Sequence, residues 1–585
     1  MGDDSKKKKM AVAGLCSILL VAMVVAVAVG IPKKNGDETD DAPTNGGGGV
    51  SATTKAVQAI CSPTDYKQTC TESLSGANST DPKELIKVAF EYTVKNIKES
   101  IKNSTLYKDA AADERTKGAL DVCSEVLNTS IEDLERSFEK IGEFDMSKVD
   151  DLVDDVKTWL SGAITYQETC LDAFENTTGD TGEKMKNLLQ TSGELLSNGL
   201  AMVTDFSSIL SSLGGFSSRR LLSDEGRSLY HLDPTDYAPG EDPKMGFEGT
   251  PSFVDSKARK LLAATPATLK PNAVVAKDGS GQYGTIAAAL KTLPKKTNQT
   301  FVIYVKAGVY KETVIIPRHV NNIVLIGDGP EKTRIIGNKN YADGVQTFHT
   351  AVLAVNGDGF LAKDIGIENT AGAAKHQAVA VRVSGDNAIF YNVHMDGYQD
   401  TLYAHAYRQF YRDCQITGTI DFIFGDAVAI FQKCRLVVRQ PMDDQACMVT
   451  AQGRKDQRSV GVTVLQGCDI VADPAFLAVK PPLDAYLGRP WKEYSRTIVM
   501  QSNIDGFIAP EGWSPWMGNY ALSTLYYGEY QNRGAGSGLS GRVTWKGIKK
   551  ITPAIAQSFT PGVVYKNDTW VSTSGIPYVS GMLQL

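Results

Sequence analysis

Histidine is scarce in this chain. Its 585 residues include six, and none stand at the H-x-x-x-H spacing of a metal-binding helix. The sequence therefore calls for no metal and no other cofactor. No Ser-His-Asp arrangement is signalled, no nucleotide-binding motif appears, and nothing points to nucleic acid. Charge is missing altogether from Met10 to Ile31, behind Lys6–Lys9. That run is long enough to span a bilayer, which takes ~20 residues. The lysines keep residues 1–9 as a cytoplasmic basic tail and send the rest into the secretory lumen. A clean cleavage site is lacking, so 10–31 reads as a signal-anchor or as a long signal peptide. Beyond about residue 271 long helical periodicity is missing too, which excludes a second helical domain there.

Eight of the nine cysteines lie beyond that run, where the compartment is oxidising. Four are in the front (Cys61, Cys70, Cys123, Cys170) and four in the back (Cys414, Cys434, Cys447, Cys468). Even numbers in each half invite disulfides. Sequons at Asn78, Asn103, Asn128, Asn176, Asn298 and Asn567 fit the same route. Charge divides the chain as well. Residues 1–263 hold 29 Lys+Arg against 42 Asp+Glu, net −13; residues 264–585 hold 32 against 25, net +7. A basic back half suits a polyanionic substrate.

Residues 32–52 form a polar, glycine-rich linker. From 53 to 212, segments such as ELIKVAFEYTVKNIKESI and VDDLVDDVKTWLSGAITYQETCLDAF place apolar residues at three- and four-residue steps, predicting a helical bundle. The acidic positions between them read as solvated faces, and no catalytic constellation appears. Residues 213–264 are aperiodic and form a second linker. It carries two similar basic-dileucine sites, Arg219-Arg220-Leu221-Leu222 and Arg259-Lys260-Leu261-Leu262. Both read as sites for a processing protease, with the choice between them left open. From 265 to 585 the chain reads as short Val/Ile-rich β segments separated by Gly, Asn and Asp.

The back half is organised around Gly397–Cys434, GYQDTLYAHAYRQFYRDCQITGTIDFIFGDAVAIFQKC. Asp400 and Asp421 are 21 residues apart. Phe390-Tyr391, Phe410-Tyr411 and Phe431-Gln432 recur at steps of 20 and 21, and Cys414 and Cys434 are 20 apart. Such a period favours a parallel β-helix, one coil per repeat. Residues one repeat apart then lie above one another at roughly 4.8 Å. The two carboxylates would stand at the ~5 Å used by a nucleophile-plus-acid pair, and Cys414 and Cys434 would bridge. Gln377 and Gln399, 22 apart, extend the pattern to a column of Gln377, Gln399 and Asp421.

GYQDTLY (397–403), DFIFGDA (421–427), LGRPW (487–491), GQYGTIAAAL (281–290), KHQAVAVR (375–382) and YGEYQNRGAGS (527–537) resemble the motifs of plant pectin methylesterases over about 271–570. AICSPTDYKQTC (59–70) with the two later cysteines resembles the inhibitor domain of these enzymes. The resemblance implies a multi-domain precursor, an all-α four-helix inhibitor-like bundle followed by an all-β right-handed parallel β-helix. It also implies the pairings Cys61–Cys70 and Cys123–Cys170, with Cys447 and Cys468 left open. The expected reaction is hydrolysis of galacturonate methyl esters in pectin (homogalacturonan), giving pectate and methanol. Asp421 would be the nucleophile, Asp400 the proton donor and base, and Gln399 the transition-state stabiliser. Thr347, Gln377, Arg489 and Trp491 would contact substrate. The mature enzyme is expected in the cell wall as a monomer, from a precursor that 10–31 could anchor in the membrane. The bundle could contact an esterase within its own chain or in another.

Two rival readings follow from the same residues. Paired carboxylates also cleave glycosidic bonds, so a β-helix pectin glycosidase or lyase is the alternative enzyme. The helical region could instead make the product an inhibitor or interaction protein.

Overall fold

The computed structural model describes residues 52–102, 113–142, 149–206, 209, 270–293 and 299–584. The expected membrane run, both linkers with their basic-dileucine sites, and the sequons at Asn103 and Asn298 lie outside these residues. Among the described residues no helix is long and apolar enough to cross a membrane.

The front half is helical. Two short helices, α1 (Ala52–Cys61) and α2 (Lys67–Ser73), precede four long ones: α3 (Pro82–Ile101), α4 (Glu114–Gly142), α5 (Val149–Asp172) and α6 (Thr181–Thr204). Local chemistry starts α3 sharply. Asp81 accepts from the Lys83 amide, and Pro82 occupies the first turn, where its missing N–H costs nothing. The three- and four-residue apolar steps become buried stripes, such as Leu85, Ile86, Ala89, Phe90 and Ile97 on α3. Cys61–Cys70 ties α1 to α2, and Cys123–Cys170 ties α4 to α5. Both pairings agree with those the resemblance implied.

The back half is a parallel β-helix. One sheet has seven short strands: β1 (Val314–Ile316), β2 (Leu353–Val355), β3 (Val381–Val383), β4 (Leu402–Ala404), β5 (Ile423–Gly425), β6 (Cys447–Gln452) and β7 (Ala485–Gly488). Val381 pairs with Leu402 and Leu402 with Ile423, a step of 21 residues each time. The other strands form a second, larger sheet, and apolar side chains fill the interior between them. Inside, Phe390, Tyr411 and Phe431 stack, with centroids 5.1 and 4.4 Å apart and planes within 10°. Phe410 pairs with Ile430 and faces the opposite side, where it meets Tyr578 of the C-terminal segment. The aromatic column thus takes its middle member from Tyr411.

The expected bridge between Cys414 and Cys434 is absent. Both are free thiols in this structure, as are Cys447 and Cys468. Cys414, Cys434 and Cys468 precede in-register strand residues one coil apart. Each thiol donates to a carbonyl of the aromatic column one coil behind: Phe390, Tyr411 and Phe431, at 3.3–3.5 Å. In-register stacking points the three side chains in the same inward direction, toward those carbonyls.

The bundle lies against the seven-stranded sheet. Phe348, Val379, Tyr403, Ala406, Tyr407 and Phe424 of the β-helix share one apolar cluster with the bundle core. Around that cluster the reading of solvated acidic faces needs correcting. Asp133 is fully buried; it pairs with Arg318 of the β-helix and accepts from Tyr407 Oη at 2.5 Å. Asp155 meets Arg408 at 2.9 Å, Asp154 meets Lys566 at 2.5 Å, and Asp65 meets Arg458 at 2.5 Å. The helical period hides Asp133, Asp154 and Asp155, because they flank the stripe that packs within the bundle and face the β-helix instead; Asp65 lies in the turn between α1 and α2.

Candidate active site

Register builds the site. The Ala378 amide donates to the Gln399 carbonyl, and the Asp400 amide donates to the Ile420 carbonyl. Both Ala380 and Val381 donate to Thr401, a local bulge that shifts pairing by one residue. The result sets Gln377 beside Gln399 and Asp400 beside Asp421. Asp421 therefore continues the Asp400 column, and the expected column of Gln377, Gln399 and Asp421 stops at Gln399. Asp400 and Asp421 both sit at positive φ, 65° and 52°. Aspartate tolerates this region better than most residues. The turn it makes lets adjacent residues, Gln399 and Asp400, reach one cavity.

That cavity, about 250 Å³, is lined by all seven of the predicted catalytic and substrate-contacting residues: Thr347, Gln377, Gln399, Asp400, Asp421, Arg489 and Trp491. They come from five coils and from 347–491 of the sequence. Arg489 follows β7. It donates to both oxygens of Asp421, Nε at 2.9 Å and Nη2 at 2.6 Å. Its guanidinium also lies 4.3 Å from the centre of the Trp516 ring. Trp491 packs edge-on to Tyr403 and Phe424, which stack on each other at 4.2 Å. Gly453 makes room for it, since a Cβ there would stand 2.8 Å from the indole.

The two carboxylates differ in their surroundings. Burial pushes Asp421 up from the ordinary carboxylate range, and the paired guanidinium of Arg489 opposes it. Burial pushes Asp400 well above that range, and the neighbouring charge of Asp421 adds to the effect. The ionised form thus belongs on Asp421 and the proton on Asp400.

Sequence reasoning missed part of the lining. Tyr403 and Phe424 carried a signal, since they repeat at 21 within the two quoted motifs. Trp516 carried none. The largest omission is a wall from the bundle: Thr169, Asp172, Ala173, Glu175 and Asn176, at the end of α5 and in the turn after it, line the same cavity. The Tyr341 hydroxyl donates to the Glu175 carbonyl at 3.2 Å. Among the described sequons, Asn78, Asn128, Asn176 and Asn567 are exposed, and Asn176 stands at the mouth of the cleft. Among the described residues no cluster of His, Cys, Asp and Glu could hold a metal ion.

Comparisons with known proteins agree with this architecture. The pectinesterase family model matches residues 272–568, and the plant invertase/pectin methylesterase inhibitor model matches 55–202. A probable pectinesterase/pectinesterase inhibitor 21 from Arabidopsis thaliana is 48% identical over 99% of this chain and 84% of its own. A pectinesterase from Petunia integrifolia is 50% identical over 68% of this chain and 100% of its own. The solved pectin methylesterase from carrot is 49% identical, with a TM-score of 0.54; it covers 54% of this chain and 100% of its own. The chain, with its inhibitor-type bundle and its β-helix, belongs to the pectinesterase family.

Proposed function

We propose that this pectinesterase hydrolyses galacturonate methyl esters in pectin through Asp421 as nucleophile and Asp400 as acid and base. The observation that carries the assignment is the asymmetry of the pair: one guanidinium grips both oxygens of Asp421, while at Asp400 burial and the Asp421 charge outweigh its pull. An ionised Asp421 oxygen attacks the ester carbonyl and forms a tetrahedral oxyanion. The side-chain amides of Gln399 and Gln377 stand at the same cavity to donate to it. Collapse breaks the bond to methoxide, which leaves as methanol with the proton of Asp400. The acyl group is then an anhydride with Asp421. Asp400, now ionised, takes a proton from water; the hydroxide attacks, the pectate carboxylic acid departs, and Asp421 is regenerated. Thr347, Arg489 and Trp491 line the sugar site.

The end of the bundle's α5 walls that cleft, and we propose that the bundle acts as an inhibitor within its own chain until the linker is cut at 219–222 or 259–262. The uncharged run at 10–31, the disulfides and the exposed sequons support a secreted destination in the cell wall. The test is methanol release from methylated pectin by residues 265–585, by the full chain, and by the Asp421→Ala form of the fragment. The fragment should release methanol without new reducing or unsaturated ends. The full chain should be nearly silent and the variant inactive. New reducing ends would favour the glycosidase reading, and a fully active precursor would remove the inhibitor role.

A further inference from the structure

Three buried glutamines stand one above another on the larger sheet. Gln432 and Gln466 pair at the ends of strands Val428–Gln432 and Val462–Gln466, and Gln501 follows strand Arg496–Met500. They are 34 and 35 residues apart, one long coil each time. Gln432 shares a strand face with Val428 and Ile430, on the outer side where the C-terminal segment packs. The amides join into a ladder. Gln432 Nε2 donates to Gln466 Oε1 at 2.9 Å, and Gln466 Nε2 to Gln501 Oε1 at 3.4 Å. The C-terminal tail lies along it. Val579 and Gln432 exchange two bonds, main-chain N–H to Oε1 and Nε2 to main-chain carbonyl, each at 2.9 Å. Leu583 and Gln501 do the same at 2.9 and 2.8 Å. Between them the Gly581 carbonyl accepts from Gln466 Nε2 at 3.0 Å. Contacts at 579, 581 and 583 alternate as they do along one edge of an extended strand. Each glutamine thus takes the place of a peptide group in a neighbouring strand.

The ladder does not depend on the tail for its shape. Arg412 donates to Gln432 Oε1 at 2.7 Å, and the three amides hold one another, so the acceptors and donors stay aligned without an occupant. Gly467 leaves a notch for one side chain, since a Cβ there would stand 2.3 Å from Leu583 Cδ1. Tyr578 and Ser580 fix the start of the tail by donating to Asp568 at 2.7 and 2.6 Å. We infer that the glutamine ladder is a binding site for an extended peptide, held by its main chain, and that residues 578–584 are a separable strap bound there. The strap ties together three successive coils, from the one that carries Asp421 to the one that carries Arg489.

The test begins with the full chain. Gln501→Leu removes both ladder partners of Leu583, so hydrogen exchange at the Leu583 amide should speed up roughly tenfold or more. Amides of the bundle should keep their rates. The chain ending at residue 577 is then titrated calorimetrically with a synthetic peptide of residues 578–585. The peptide should bind and raise the melting temperature as its concentration rises, as a ligand of the native state does. Methylating the Leu583 nitrogen of the peptide should weaken binding roughly tenfold. The same methylation should cost nothing further against the Gln501→Leu receptor, because the two changes remove one contact. A peptide carrying Val579→Ala should bind nearly as well, since that side chain is 36% exposed. Unaltered exchange at Leu583 would overturn the inference. So would a folded, shortened chain that ignores the peptide, or an equal methylation loss against both receptors. If the shortened chain does not fold, the exchange measurement in the full chain decides alone.

Discussion

The two halves of this chain use acidic residues in opposite ways. In the β-helix, carboxylates are placed by register: Asp400 and Asp421 stand side by side because 21 residues make one coil. In the bundle, carboxylates are placed by complementarity: Asp65, Asp133, Asp154, Asp155 and Asp172 each meet an Arg or Lys of the β-helix. The first arrangement holds two like charges together and forces one to keep its proton. The second sets each of these acids against a cation of the other half. We assign the chemistry to the pair of like charge and the docking to the pairs of opposite charge. The opposite net charges of the halves are the trace of the same division.

The largest effect is expected at the catalytic pair itself. Asp421→Ala removes the proposed nucleophile and should lower methanol release on the order of 10⁴-fold or more. Its far-ultraviolet circular dichroism and thermal midpoint should change little, because the coil is held by its strands. Substantial activity in that variant would end the two-carboxylate mechanism. On the bundle side, Asp133→Ala strips one carboxylate from Arg318, Arg136 and Tyr407. Breaking a buried pair from one side costs about 3–5 kcal/mol. The separate bundle, residues 52–209, should then inhibit residues 265–585 at least a hundredfold less well. An unchanged inhibition constant would show that the apolar cluster alone carries docking. The melting temperature of the separate bundle controls for misfolding.

What could be read in advance follows the same division. The central coils were legible because their repeat is regular: the quoted stretch, Phe390 and Phe431, and the two aspartates all keep one period. The bulge at Ala380–Val381 was not, because one shared acceptor leaves no mark in residue type; it sets Gln377 beside Gln399, and the next coil, which keeps the step of 21, puts Asp421 beside Asp400 instead. The Cys414–Cys434 bridge failed for a related reason. Spacing of one coil gives proximity, but proximity in a parallel stack is compatible with three thiols each bonding a carbonyl. The docked bundle was the least legible. Asp133 and Arg318 are 185 residues apart in sequence, and an acid on the second face of a helix looks like an acid in water.

Two smaller substitutions sharpen the roles within the pair. Gln399 contributes a neutral donor at the cavity, so Gln399→Ala should lower kcat roughly a hundredfold or more, the usual loss for one oxyanion donor. KM should move little, since the donor is needed when charge develops on the ester oxygen. An unchanged kcat would transfer that role to Gln377, whose own substitution then becomes decisive.

Arg489 gives the subtlest test, because its effect on pH can be separated from its effect on rate. The proposed mechanism needs Asp421 ionised and Asp400 protonated, so kcat/KM should be bell-shaped. Activity falls on the acid side as Asp421 gains a proton and on the alkaline side as Asp400 loses one. The guanidinium lowers both carboxyl groups from where burial alone would put them. Removing its charge must therefore raise both. In residues 265–585, Arg489→Gln should move the acid limb and the alkaline limb to higher pH together, whatever it does to KM. A loss of rate with both limbs fixed would make Arg489 a sugar contact only. The acid limb moving alone would mean that Arg489 acts on Asp421 and that Asp400 senses Asp421 rather than the guanidinium.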